Sequence, residues 1–183
     1  DPDPYRLAEA VLPPEPKLFF ARGELALEQA ADTLRQVRAT LEDGQSVQGP
    51  NGEKILFQPH EIQWLPPVIP EKFLAIGLNY EDHVRETGKQ LPDHPVLFSK
   101  LPSSIIGHGQ PIILPEASRK VDYEAELAVV IGRSAKRVSR SEAWHVVAGF
   151  TIVNDVTARD LQQGDGQWTR GKGLDTFGPI GPV

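Results

Sequence analysis

The segment Val121-Asp-Tyr-Glu-Ala-Glu-Leu-Ala-Val-Val-Ile131 holds the most chemically suggestive spacing in this 183-residue chain. Read as the longest strand of the protein, it alternates faces, so Glu124 and Glu126 point the same way about 7 Å apart, with Asp122 on the same side. That face continues as Ala128 and Val130, passing from acidic to apolar. An ordinary half-buried strand with one wet face has this pattern, and so does a carboxylate pair entering a site at the edge of a core. Like charges that close need a neutralising partner, and a divalent cation with oxygen ligands is a natural one. Asp155, in the largely apolar run 150–156, either caps a helix beginning near Thr157 or joins the pair as a third ligand, since a lone buried carboxylate is costly. Together Glu124, Glu126 and Asp155 form a set suited to Mg²⁺ or Mn²⁺, with water completing an octahedron. With no cysteine and five histidines, the composition disfavours zinc.

Acid–base chemistry has a candidate in Asn79-Tyr-Glu-Asp-His-Val-Arg-Glu86. On a helix His83 and Glu86, three apart, share a face, and a carboxylate beside an imidazole fixes its tautomer and stabilises the imidazolium. That suits a general base acting on water, although such pairs on exposed helices are common and usually idle. Gly77 and Gly88 flank the segment and would let it move as a lid. Three cations could hold an anionic substrate: Lys100, Arg159 (four residues after Asp155) and Lys172, which sits between Gly171 and Gly173. Each could equally be a solvated surface charge. His60, His94, His108 and His145 show no ligand spacing and read as structural.

Residues 1–16, with Pro2, Pro4, Pro13, Pro14 and Pro16, form an extended arm. Leu27, Ala30, Leu34, Val37 and Leu41 recur at helical steps, predicting an amphipathic helix over 25–41 that stops at Asp43-Gly44. Residues 46–57 read as a hairpin turning at Asn51-Gly52. The punctuated run 65–70 marks a domain boundary, giving a small N-terminal α+β domain over 1–66 and a second domain over 67–183. There, strands are expected at 73–77, 95–100, 111–114, 121–131 and 149–156. Short helices are expected at 80–87 (capped by Asn79), 141–147 (capped by a serine) and 157–163.

Composition narrows the class. A formal charge of −6 argues against a nucleic-acid binder. No apolar run approaches the ~20 residues of a membrane span, and no basic-then-apolar signal pattern opens the chain. The 16 glycines and 17 prolines favour many short elements over a helical bundle. Absence of cysteine excludes disulfides and thiol chemistry and fits a reducing cytoplasm. Absence of methionine, even at position 1, suggests a start inside a longer product or after processing.

Five segments occur in an order that resembles the fumarylacetoacetate hydrolase family: Gly77-Leu-Asn-Tyr-Glu-Asp-His83, Leu97-Phe-Ser-Lys100, Asp122-Tyr-Glu-Ala-Glu-Leu127, Asn154-Asp-Val-Thr-Ala-Arg-Asp160 and Lys172-Gly-Leu-Asp-Thr-Phe-Gly-Pro179. The resemblance covers roughly residues 66–183. It implies a mainly β fold with α elements, built on a flattened barrel-like core and paired as a homodimer. It also implies Mg²⁺, or Mn²⁺ or Ca²⁺, on Glu124, Glu126 and Asp155, with His83, Glu86 and Lys172 catalytic. Tyr80, Lys100, Arg159 and Gln162 would face a small 2-oxo or β-diketo acid. The leading expectation is C–C bond hydrolysis through a metal-stabilised enolate. A 2-hydroxymuconate-type isomerase, an oxaloacetate decarboxylase or a hydratase are alternatives, and a non-catalytic ligand-binding relative is the rival of a different class. Because family domains continue past the Gly-Pro-x-Gly-Pro segment, a barrel truncated at its C-terminal side is expected.

Overall fold

A computed structural model describes residues 4–182, with side chains described from residue 8 onward; Pro2 lies outside the described residues. The proline-rich start is not an extended arm. It forms α1 (Pro4–Val11) and α2 (Pro16–Ala21), each opening on a proline. Proline at the first turn loses no helical hydrogen bond and has its φ already set, so these prolines start helices, while Pro13-Pro14 separates them. The periodic segment forms α3 (Glu24–Glu42), with Asp43 at its C-terminal boundary. Ala26 is buried, whereas Leu27, Leu34 and Leu41 are exposed. The expected hairpin contracts to one antiparallel bridge, Gln48↔Lys54, around a turn closed by Gly52 N–H to Gly49 O.

The remaining elements follow in chain order: β1 (Phe73–Gly77), α4 (Glu81–Glu86), β2 (Val96–Lys100), β3 (Ile105–Gly107), β4 (Val121–Asp122), β5 (Ala125–Ile131), β6 (Val147–Asn154), β7 (Thr157–Ala158), α5 (Arg159–Asp165), α6 (Thr169–Lys172) and β8 (Gly178–Ile180). Tyr80, not Asn79, occupies the N-terminal boundary of α4, and the predicted helix at 141–147 is a single 3₁₀ turn, Ala143–Val146, with no serine cap. Residues 111–114 form no strand; the Ile113 N–H goes to the Thr176 hydroxyl instead of to a ladder.

β1 and β2 pair antiparallel, β4 and β7 likewise, and a four-stranded sheet runs in the order β3-β8-β6-β5. A barrel closes only when its outermost strands pair. Here β3 and β5 are sheet edges, so the expected flattened barrel is not closed among the described residues. Nor is the chain mainly β: more described residues lie in helices than in strands, because of α1–α3.

The chain divides into two compact units, residues 1–63 with 129–150 and residues 64–128 with 151–183. The first holds α1–α3 and the 3₁₀ turn at Ala143–Val146. The second carries all the candidate site residues, and its core is Val156, Ala158 and Phe177, against which Val121, Leu161 and Leu174 pack. Among the described residues no helix is long and apolar enough to cross a membrane.

Candidate metal centre

The expected single strand over 121–131 is broken at Tyr123-Glu124, and its partner is broken at Asp155-Val156. The two breaks face one another. Asp155 N–H donates to Glu124 O at 2.8 Å, and Glu124 N–H donates to the Asn154 side-chain oxygen at 3.1 Å. On one side of the gap β4 pairs with β7 (Val121↔Ala158, Asp122↔Thr157). A ladder interrupted at matching points leaves its backbone groups bonded while two side chains turn into one space. Glu124 and Asp155 are those two, and Glu126 follows one pleat along β5. One carboxylate oxygen from each of the three lies within 4.8 Å of the others.

Asp155 does not cap the following helix; Ala158 stands at the start of α5 with no side-chain cap. Asp155 is instead 1 % exposed and ion-paired on both oxygens, to Lys100 Nζ at 2.5 Å (Oδ1) and to Lys172 Nζ at 2.7 Å (Oδ2). Lys172 Nζ also donates to Glu124 Oε2 and to Thr157 Oγ1, both at 2.8 Å, so its three N–H bonds are all used. Its charge lies 5.1 Å from the centre of the Phe98 ring, a cation–π contact. Arg159 bridges two acids: Nη1 donates to Glu124 Oε1, and Nε and Nη2 donate to Asp122 Oδ2 at 3.0 and 2.8 Å. Gln162 accepts from Arg159 Nη1 at 3.3 Å.

Two glycines make the supporting elements fit. A Cβ on Gly171 would stand 2.8 Å from Gln162 N and 3.0 Å from Ala158 O, so only glycine lets α6, which carries Lys172, lie so close to α5. A side chain on Gly77 would collide with the Trp168 indole, which packs edge-on against Phe98 with ring centres 5.4 Å apart.

The charges are unevenly compensated. Among the described residues Glu126 alone of the three carboxylates has no hydrogen-bond or ion-pair partner. Its pKa is raised from 4.5 to about 7, first by burial and then by the nearby Asp155 and Glu124 charges. Burial lowers the Lys100 pKa, with the Asp155 charge opposing it. For Arg159 burial works against the charge, but hydrogen bonds to Asp122 and Glu124 and their charges outweigh it and raise the pKa; the same guanidinium holds Asp122 below the usual carboxylate range. The donors therefore suit a hard divalent cation: three converging carboxylate oxygens, no nitrogen or sulfur ligand, and one carboxylate still lacking a counter-charge.

The structure thus gathers Glu124, Glu126, Asp155, Lys100, Lys172, Arg159 and Gln162. It does not join His83 to Glu86: both are exposed on α4, and no hydrogen bond links their side chains. Tyr80, just before α4, accepts a hydrogen bond from Leu127 N–H at 3.2 Å, which ties this end of the helix to the residue after Glu126. Sequence reasoning missed Thr157, Asn154 and Phe98. Only Phe98 carried a signal, since it stands two residues before Lys100 and therefore on the same strand face.

The profile described as "Fumarylacetoacetate (FAA) hydrolase C-terminal" matches residues 72–183. The chain belongs to the fumarylacetoacetate hydrolase family. It is 40 % identical over 177 residues to oxaloacetate tautomerase Fahd2a, mitochondrial, of Rattus norvegicus, covering 96 % of this chain and 51 % of the rat protein. Among solved structures, 5-carboxymethyl-2-hydroxymuconate delta-isomerase of Mycobacterium smegmatis matches with a TM-score of 0.59 and 47 % identity, covering 64 % of this chain and 45 % of the isomerase. Fumarylacetoacetate hydrolase of Exiguobacterium antarcticum matches with a TM-score of 0.57 and 43 % identity, over 65 % of this chain and 44 % of the hydrolase. The chain spans about half the length of the curated relatives it matches.

Proposed function

We propose that this chain belongs to an enzyme that moves a proton beside the keto group of a small 2-oxo acid, as a tautomerase or isomerase. The convergence of Glu124, Glu126 and Asp155 carries this reading; the tautomerase and isomerase names of its relatives support the direction of the chemistry. A hard divalent cation on these three carboxylates supplies Lewis-acid polarisation of a carbonyl oxygen. Mg²⁺ is our choice and Mn²⁺ the alternative.

The chain's own residues do the rest. Lys172 fixes one oxygen of Glu124 and one of Asp155, and Arg159 fixes the other oxygen of Glu124. The ligands are thus aimed before anything binds, a saving in reorganisation. Arg159 and Gln162 line the half-buried side of this cluster and are assigned to the substrate's anionic oxygens, with Tyr80 at the start of α4. His83, exposed on α4, takes the proton from carbon and returns it to oxygen or to the next carbon, with Glu86 setting its tautomer. The domain reading assigns this chemistry to residues 67–183; residues 129–150 cluster with 1–63, so the residues named for it lie in 64–128 and 151–183. The family resemblance supports pairing with a second copy. Because the rat relative carries a mitochondrial name, the cytoplasm is one of two compartments the reading allows.

The test is the enol–keto conversion of oxaloacetate followed by ultraviolet absorbance, with Mg²⁺ and with chelator, beside a panel of acylpyruvates and fumarylpyruvate. Acceleration that needs Mg²⁺ is expected; metal-independent conversion, or none on any substrate, overturns the reading. A second reading, C–C bond hydrolysis, is favoured by the likeness to the Exiguobacterium hydrolase. Metal-dependent cleavage of an acylpyruvate without enol–keto acceleration selects it.

A further inference from the structure

We propose that Lys100 is a positioning residue, not a substrate contact: its ammonium locks Asp155 and the end of α6 into the geometry that the metal centre requires. The inference rests on the metal-centre reading above. Lys100 is the last residue of β2 and is 2 % exposed. Its Nζ donates to Asp155 Oδ1 at 2.5 Å and also to the backbone carbonyl of Lys172. One ammonium therefore fixes a metal-ligand candidate through its side chain and the neighbouring lysine through its main chain.

The Lys100 side chain is enclosed, with 1 % of it exposed. Gly178, at the start of β8, packs beside it: a Cβ there would lie 3.5 Å from the Lys100 Cε, an ordinary contact, and 3.2 Å from Ser104. The Lys172 carbonyl is one of those left without an intrahelical partner at a helix end, and a cation there meets the negative end of the helix. The partners are far apart in sequence: 55 residues separate Lys100 from Asp155 and 72 separate it from Lys172. Lys100 thus ties three elements, β2, the β6–β7 break and α6, at one point. Two lysines on one aspartate leave it no rotational freedom, and the free oxygen lone pairs keep a fixed direction.

A purely electrostatic view gives the opposite expectation, because removing a cation beside a metal centre should tighten metal binding. Loss of an orienting partner typically costs 10–100-fold in metal affinity. The test is a Mn²⁺ titration of the full chain by electron paramagnetic resonance, comparing wild type, Lys100→Met and Lys100→Cys. The chain has no cysteine, so the new thiol is unique, and alkylating it with bromoethylamine in denaturant before refolding restores an ammonium on a side chain of lysine length. The expected result is Mn²⁺ affinity about 10–100-fold weaker in Lys100→Met and unmodified Lys100→Cys, recovered by aminoethylation. On any turned-over substrate with saturating metal, kcat should fall while KM stays within about twofold.

Affinity equal to wild type, or tighter, overturns the proposal, as does a rise in KM with metal affinity unchanged, which would make Lys100 a substrate contact. If the neutral variants do not fold, Lys100→Arg carries the test. It keeps the charge, but its longer, planar guanidinium cannot put a donor nitrogen at the point where Nζ meets both acceptors, so Mn²⁺ binding should weaken; unchanged binding is the contrary result. A wild-type chain that binds no Mn²⁺ refutes the metal-centre reading itself and this inference with it, whereas wild-type binding with unaffected variants refutes this inference alone.

Discussion

The Asp155 cluster and helix α4 lie in the same compact unit and were singled out for the same reaction, yet they are built in opposite ways. Around Asp155 the carboxylates of Glu124 and Asp155 are held on both oxygens by Lys100, Lys172 and Arg159, and the two lysines and the aspartate are almost fully buried. On α4, His83 and Glu86 are exposed, unlinked to each other, and connected to the sheet through Tyr80. The contrast separates two tasks. Holding a small, highly charged ion needs ligands aimed in advance, because turning a carboxylate at the moment of binding costs free energy. Delivering a proton, the task proposed for His83, needs a group that can approach and withdraw, which an exposed position on a short helix allows.

Substitutions in the two regions should separate accordingly. The largest effect is expected at the buried cluster: Asp155→Asn leaves the buried Lys100 ammonium without its counter-charge and Lys172 with Glu124 alone, and such a break costs about 3–5 kcal/mol of stability. Urea unfolding reads this directly, and a loss below about 1 kcal/mol would mean that the cluster is far better solvated than its burial implies. His83→Ala should do the reverse. Turnover should drop by ~10²–10⁴, while stability stays within about 0.5 kcal/mol and Mn²⁺ affinity does not move. Unchanged turnover removes His83 from the reaction.

A smaller effect sharpens the picture of Glu126. Its folded-state pKa, about 7, lies above the ordinary 4.5, so between these values the folded chain holds a proton that the unfolded chain has released. The metal-free protein should therefore lose stability as pH rises across that window, with the contribution fully present below it and gone above it. A metal ion needs the ionised carboxylate, so its stabilisation grows over the same window. Thermal melts with and without Mg²⁺ should show a gap that widens with pH, and Glu126→Gln should flatten that dependence. A gap independent of pH would mean that Glu126 is already ionised or takes no part.

Much of this was legible in the sequence, and the failures have physical causes. The spacing of Leu27, Leu34 and Leu41 announces α3, and the apolar runs ending at Gly77 and Lys100 announce β1 and β2. The acid types at 124, 126 and 155 pointed to a hard-cation site. The N-terminal prolines misled because the same residue that breaks a helix interior starts a helix well. The break at Tyr123-Glu124 left no local mark, since it is set by Asn154 and Asp155 bonding to the Glu124 backbone from another strand. Lys100 read as one more cation because its partners lie 55 and 72 residues downstream, beyond what any local pattern carries.

Convergence of three carboxylates on one hard cation is the claim on which the rest depends, and Mn²⁺ binding by the intact chain tests it most directly. The account predicts one bound Mn²⁺ per chain, displaced by Mg²⁺, with affinity reduced at least about tenfold by Glu126→Gln, which removes a ligand without disturbing any ion pair of the cluster. Absence of binding, or binding that Glu126→Gln leaves unchanged, would contradict it.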